Sequence, residues 1–371
     1  MVELRNNMRN TILIAAYVCV LLAFESACTG EEKGETTVPV DTMSIVDSIG
    51  VLSGDDNYTI GMISDIDRGV NGEIIVLDWS RSCIREYSMD GEYVRRIGRY
   101  GEGPGEFNDL KGLCACGTKG AVVINNTEWY QYDSEWNFVS AEIMDNSNIS
   151  SMQAGNDSLI IGIKNYLQLT GSGMHIERRL ESWNRENPDE IINEYFKVKY
   201  VVNCPEDLYE EEQNFQILYT VTDESIFAAK DSQNEPKVYV YNLQGDLLDE
   251  IEMPYEQVRK TEREIAQEAA YIQGYIFNMT SGEKMIEYIP NQYKPMIRSI
   301  GCDAEGNVWV QRGFEDIPFY DVIDNETHEV IKNVIIEGID NTINWNIYAT
   351  EYGVVAAQVY DYDYPKVYIL K

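Results

Sequence analysis

Histidine is almost absent from this chain, with two in 371 residues. That excludes a His-rich zinc site and leaves little material for His-based acid–base chemistry. Positive charge is also scarce: 29 Lys and Arg stand against 63 Asp and Glu, a formal net charge of −34. A surface so acidic argues against nucleic acid, whose phosphates need a basic footprint, and against anionic membrane surfaces. No G-x-S-x-G elbow occurs and no cysteine is set beside a histidine, so nothing points to nucleophilic catalysis. Long apolar runs are missing apart from residues 11–24, TILIAAYVCVLLAF, which are too short to span a bilayer comfortably. What remains is ordinary globular composition, 44% hydrophobic and 25% charged, with an unusual abundance of tyrosine at 26.

The apolar run follows Arg5 and Arg9 and ends at Glu25-Ser26-Ala27-Cys28. A basic flank, a short apolar core and small residues before a cysteine form a signal peptide over 1–27. The stretch before Cys28 resembles a bacterial lipobox, with Glu25 at a position that is usually apolar. Cys28 is then expected to carry lipid as the first mature residue. Residues 28–39, polar and Gly-containing, read as a flexible tether. The other cysteines besides Cys19 and Cys28 are 83, 114, 116, 204 and 302, an odd number with no regular spacing. Cys114 and Cys116 fall on one face of a strand, as small buried residues rather than a redox turn.

Residues 40–371 repeat. Ile66-Asp-Arg-Gly-Val-Asn-Gly72-Glu-Ile-Ile-Val-Leu-Asp78, continuing through Ile84–Tyr87 and Asp90-Gly91 to Gly98, is a unit of short strands separated by Gly/Asp turns. It returns with drift near 121–139, 159–180, 226–247, 300–331 and 354–370. Gly91 and Gly245 sit at equivalent hairpin turns, where a positive φ suits glycine. Six copies of about four strands predict an all-β, six-bladed β-propeller, with a β-sandwich as the competing arrangement. The last copy stops after its third strand, whereas residues 41–49 precede the first full unit as a lone strand. Pairing the two is expected to close the ring and remove the open edge.

Between the first two units lies Ile97-Gly98-Arg99-Tyr100-Gly101-Glu102-Gly103-Pro104-Gly105-Glu106-Phe107. It is not a phosphate loop: the glycine spacing is wrong, a strand follows rather than a helix, and Glu102 and Glu106 would repel phosphate. With the D-G-x-Y before it, the segment resembles the inter-blade turn of NHL-type propellers, and more closely the six-bladed propeller lipoproteins of Gram-negative envelopes. That resemblance implies the fold and an envelope address, and brings no catalytic residue.

Fourth-to-first strand connections are expected to gather on one face around the central channel, where the long insertions 201–214 and 254–290 fall. Within the second, about 254–275, Val258, Ile265, Ala269 and Ile272 recur at helical spacing between Pro254 and Gly274, predicting an amphipathic helix over 255–273 that docks on the rim. Recognition by loops on a rigid scaffold makes this face the expected binding surface. Its candidate contacts are Arg99, Tyr100, Phe107, Tyr255, Tyr271 and Tyr275. Ser64-Asp65-Ile66-Asp67 and Asp361-Tyr362-Asp363-Tyr364 pair carboxylates at i and i+2, which would suit Ca²⁺, though neither fits D-x-[DN]-x-[DN]-G and no cofactor is expected. The sequence thus predicts an outer-membrane lipoprotein, periplasmic or surface-facing. It would touch the membrane through its anchor alone and bind a protein, peptide or glycan. The alternative is a divalent-metal hydrolase or lyase with carboxylates in the channel. Ligand and oligomeric state are not written in the chain.

Overall fold

Short apolar runs bounded by Gly and Asp turns dictate short strands, and each run identified above forms one. The computed structural model describes residues 38–371 except 145–147, 157, 171–172, 203–215, 280–287, 341–344 and 359–363, and for residues 271 and 274–279 the backbone alone. The expected signal peptide, Cys28 and most of the tether therefore lie outside the described residues, as do Cys204 and the Asp361/Asp363 pair.

The chain enters through β1 (Val40–Met43) and β2 (Ile45–Ile49). Blade one follows as β3 (Ile63–Arg68), β4 (Ile74–Asp78), β5 (Cys83–Tyr87) and β6 (Tyr93–Ile97). Blade two is β7 (Leu110–Ala115), β8 (Ala121–Asn125), β9 (Glu128–Tyr132) and β10 (Phe138–Ile143). Blade three is β11 (Ile149–Asn156), β12 (Leu159–Thr170), β13 (Gly173–Asn184) and β14 (Asn187–Val202). Blade four is β15 (Ile217–Val221), β16 (Ser225–Lys230), β17 (Lys237–Asn242) and β18 (Leu247–Glu252). Blade five is β19 (Ile297–Cys302), β20 (Val308–Arg312), β21 (Phe319–Ile323) and β22 (Val330–Ile336). Blade six is β23 (Trp345–Thr350), β24 (Gly353–Gln358) and β25 (Val367–Leu370), completed by β2.

Ring closure follows the sequence expectation and refines it. Residues 45–49 pair antiparallel with β25, Ile49 opposite Val367 and Ile45 opposite Leu370. Ser44 and Lys371 exchange backbone hydrogen bonds of 2.8 and 3.1 Å. The stretch 41–49, expected as one strand, divides at Ser44, and β1 instead adds in parallel to the outer edge of blade five, Val40 opposite Asn333.

Each blade is sandwiched between two others, so its middle strands are buried on both faces and read as continuous apolar runs rather than alternation. Ile74 and Val76 of β4 pack against Val355 and Val367 of blade six, while Ile75 and Leu77 pack against Leu113 and Val123 of blade two. Equivalent clusters fill the other blade interfaces. Cys114 and Cys116 are buried free thiols inside one of them, as their strand position implied.

The predicted helix needs correction. α1 spans Glu262–Met279, not 255–273. Pro254 does not start it, because residues 258–260 are held extended: Lys260 N–H donates to Gln292 O and Lys294 N–H to Val258 O, at 2.9 Å each. The start is Thr261, whose Oγ1 accepts the Glu264 N–H while Glu264 accepts from the Thr261 N–H, a capping box that decides the boundary. Gly274 does not stop it. Val258 falls outside the helix, whereas Ile265, Ala269 and Ile272 form a half-buried stripe within it. Among the described residues no helix is long and apolar enough to cross a membrane.

One buried ion pair ties the entry loop to blade one. Asp78 is fully buried, with Oδ2 accepting from Gly61 N–H at 3.0 Å and Arg85 Nε at 3.1 Å, and Oδ1 accepting from Met62 N–H at 3.1 Å. Arg85 also donates to the carbonyls of Asp56, Asn57 and Thr59. Removing one partner of such a pair strands a buried charge. Asp78→Ala is expected to lower the unfolding free energy by about 3–5 kcal/mol, read by chemical denaturation. The exposed Asp90→Ala should change it by less than about 0.5 kcal/mol.

Candidate functional site

The first strand of each blade lines the ring axis, and its side chains alternate between the axis and the blade interfaces. In β3 this sends Ile66 into the interface core and turns Asp65 and Asp67 toward the channel. Asp67 bridges two blades: Oδ2 accepts the Ala115 N–H of β7 at 2.6 Å and Oδ1 accepts the Arg68 N–H at 2.8 Å. Asp65 accepts the Ile66 N–H at 2.9 Å. Gln153 of β11 accepts the Val221 N–H of β15 at 3.0 Å, and the Tyr219 hydroxyl reaches the Ser151 carbonyl at 2.7 Å. Arg68 Nη2 donates to Tyr352 O of blade six at 3.0 Å.

These links frame a cavity of about 750 Å³ around the carboxyl ends of the first strands. Its wall holds eight carboxyl groups, those of Asp65, Asp67, Asp223, Glu224, Asp303, Glu305, Glu326 and Glu351, against the single cation Arg68. Asp65 and Asp67 keep contact with channel solvent, yet protein surrounds them. Loss of hydration pushes both carboxyls up to about 7, with Asp67 adding like-charge repulsion on Asp65 and backbone N–H groups pulling the other way. Burial also lifts the nearby Tyr348 hydroxyl well above its usual range. Such carboxyls can donate as well as accept hydrogen bonds near neutral pH. Among the described residues, no three His, Cys, Asp or Glu side chains converge as a metal site would need.

The cavity opens where first and second strands turn, on the face opposite the fourth-to-first connections. Of the residues singled out on that other face, Arg99 and Tyr100 are exposed, and Phe107 and Tyr255 are buried. Arg99 is exposed and ion-paired with Glu106 at 2.7 Å, and Tyr100 beside it is 76% exposed. Phe107 cannot meet a ligand: it is fully buried between blades one and two, against Leu77, Leu113 and Tyr132. Its ring explains Gly98, which has φ +73° and where an added Cβ would lie 2.1 Å from Phe107 Cε2. Tyr255 is likewise buried and bonds Asp321, which is also held by Arg312 at 2.7 Å. Tyr271 and Tyr275 belong to α1, and their side chains lie outside the described residues. Of the Asp65/Asp67 and Asp361/Asp363 pairs, the first is in the channel. The rim acids escaped sequence reading, although a signal existed for most of them: Asp223, Glu224, Asp303, Glu305 and Glu351 each follow the first strand of their unit, and Glu326 follows a third strand.

The raised carboxyls set a pH dependence. A carboxyl whose folded pKa of about 7 exceeds the unfolded 3.8 binds more protons in the native state between those values. Its stabilising contribution is complete below about 4 and is lost as pH rises through about 7. Asp231, raised to about 7 by burial against the pull of Arg298 and Lys260, acts in the same direction. Thermal unfolding of Asp65→Asn/Asp67→Asn should therefore show a shallower fall in Tm from pH 5 to pH 8 than the parent, with part of the slope kept by Asp231. An unchanged slope would contradict the burial of the pair.

Comparison with known proteins bears on the fold. A family model described as a six-bladed β-propeller, DUF5128, matches residues 36–297. No curated protein matches the chain. Among solved structures, a Bacteroides fragilis NCTC 9343 protein provisionally named as exported is similar at 11% identity and TM-score 0.51, covering 90% of this chain and 99% of its own. A DUF4221 member from Bacteroides vulgatus is similar at 9% identity and TM-score 0.48, over 89% and 97%. At such identities the likeness concerns the fold alone. With the family model spanning well over half the sequence and six blades observed, this chain belongs to the DUF5128 family of six-bladed β-propellers.

Proposed function

We propose that this protein is a lipid-anchored binding module of the cell envelope, and that its ligand is a hydroxyl- or amine-bearing group, from a glycan or a basic peptide, held in the acidic channel mouth. The observation that carries the reading is the channel wall: eight carboxyl groups around about 750 Å³, two of them poised near neutrality, opposed by one arginine. Carboxyls lining a concave site favour cations and sugar hydroxyls and disfavour anions. The envelope address rests on the basic flank, the apolar run and the small residues before Cys28.

A second reading, hydrolase or lyase, draws support from the same pair, since a carboxyl near pH 7 can serve as general acid or base. Its metal-dependent form needs a converging ligand set, which the described residues do not supply. Binding requires nothing further and is preferred.

The test of binding uses glucosamine oligomers, oligolysine and oligoglutamate as probes by titration calorimetry. Glucosamine oligomers or oligolysine should bind and oligoglutamate should not. Asp65→Asn/Asp67→Asn should weaken binding by about tenfold or more. Preference for oligoglutamate, or indifference to the double substitution, would overturn the reading, and conversion of a bound oligomer would favour the enzyme.

Anchoring is tested separately. Cys28→Ser should release the protein from the envelope membrane fraction, and a variant that stays membrane-bound would remove the anchor from the proposal.

A further inference from the structure

Blade three departs from the others. Its outer strands β12, β13 and β14 run 12, 12 and 16 residues, against five or six in most strands elsewhere. The inner strand β11 begins at Ile149, paired with Lys164. Beyond that point β12 continues through Thr170, paired among the described residues with β13 alone, in unbroken register to Thr170 opposite Gly173, and β14 follows to Val202 opposite Met174. Among the described residues, 166–169 thus form an edge about 13 Å long with no strand paired to it. Val202 leads into the fourth-to-first connection, so this three-stranded arm rises on the face opposite the acidic cavity.

The edge lacks the protections that a strand carries in its own residues. It holds no proline, no bulge and no charged side chain between Asn165 and Thr170. Asn165 N–H points off the edge, to Asn148 O at 2.9 Å, so by strand alternation the N–H and C=O groups of Leu167 and Leu169 point the same way. Among the described residues no strand pairs with them. Leu167 and Leu169 are 56% and 83% exposed. They extend the apolar face of the arm, whose inner part, Ile176, Tyr200 and Val202, is buried.

Charge indicates the occupant. In a chain with 63 acids and 29 Lys and Arg, the arm together with the rung at its base reverses the ratio: Lys164, Arg179 and Lys197 form that rung, and Arg178 and Lys199 lie beyond it against Glu177. Lys197 and Lys199 remain half-exposed or more although each pairs with a glutamate, Glu194 or Glu177. A second copy would bring an arm of like charge alongside. We propose that the edge of β12 at Leu167–Leu169 docks an extended, acidic peptide strand of another protein, which lengthens blade three by β-augmentation with its apolar residues against the two leucines.

The probes are the synthetic peptides Glu-Val-Glu-Val-Glu-Val and Lys-Val-Lys-Val-Lys-Val, with binding read by fluorescence anisotropy on the full chain. The acidic peptide should bind, more weakly at high salt, and the basic one should not. Amide exchange at Leu167 and Leu169 should be fast in the free protein and slowed in the complex. Leu167→Pro removes an N–H that the fold does not use and should cut affinity about tenfold or more, whereas Leu167→Thr, which keeps the N–H, should cut it less. Equal binding of the two peptides, no binding of the acidic one, or slow exchange at both leucines in the free protein would each overturn the proposal. Sedimentation shows whether slow exchange arises from a second copy. Asp65→Asn/Asp67→Asn should leave peptide binding intact, which separates this edge from the channel.

Discussion

The antiparallel pairing of β2 with β25 is the constraint on which the rest of the molecule depends. A propeller blade is buried on both faces, so every blade needs two neighbours, and a linear array of six would leave two of them half exposed. Closure joins residues 45–49 to 367–370 and brings Ile49 into the same cluster as Val367, Ile369 and Ile74. That cluster seals blade six against blade one. Without it the first strands would not converge on an axis, and there would be no channel to line.

Convergence has a chemical consequence. Close to the axis, first strands approach so tightly in places that a small residue is required. At Gly301 an added Cβ would lie 2.5 Å from the Ala349 carbonyl of the next blade. Polar groups facing this narrow space cannot be fully hydrated, so they satisfy one another across blade boundaries, as Asp67 does with Ala115 and Gln153 with Val221. Asp65 and Asp67 stay partly wet, and their raised pKa values reflect that intermediate position. Farther along, at the turns that follow the first strands and, for Glu326, the third, the rim acids reach solvent and set the sign of the field.

The two faces of the ring are differently equipped. One carries the acidic mouth. The other carries α1, the connections between blades and the extended arm of blade three. The arm is amphipathic. Its polar face is laced by Arg179 and Lys199 to Glu177, and its apolar face continues into the buried group Ile176, Tyr200 and Val202. Ion pairs on one face and apolar packing on the other let so long a ribbon keep its register.

The sequence by itself determined the repeat, the strand-and-turn grammar, the six blades and their closure, because each unit carries its own apolar runs and its Gly/Asp turns, and these act locally. It misplaced the start of α1, since the tie between residues 258–260 and 292–294 is a contact between distant segments that outweighs the periodicity of Val258. It also offered Phe107 and Tyr255 as contacts, and nothing local distinguishes an exposed aromatic from one wedged against Gly98 or bonded to Asp321. Only the tertiary structure decided that Asp65 and Asp67 share a channel with acids from blades four, five and six, and that β12 outruns β11. Both facts depend on which strand ends meet around an axis, a relation between segments far apart in the chain.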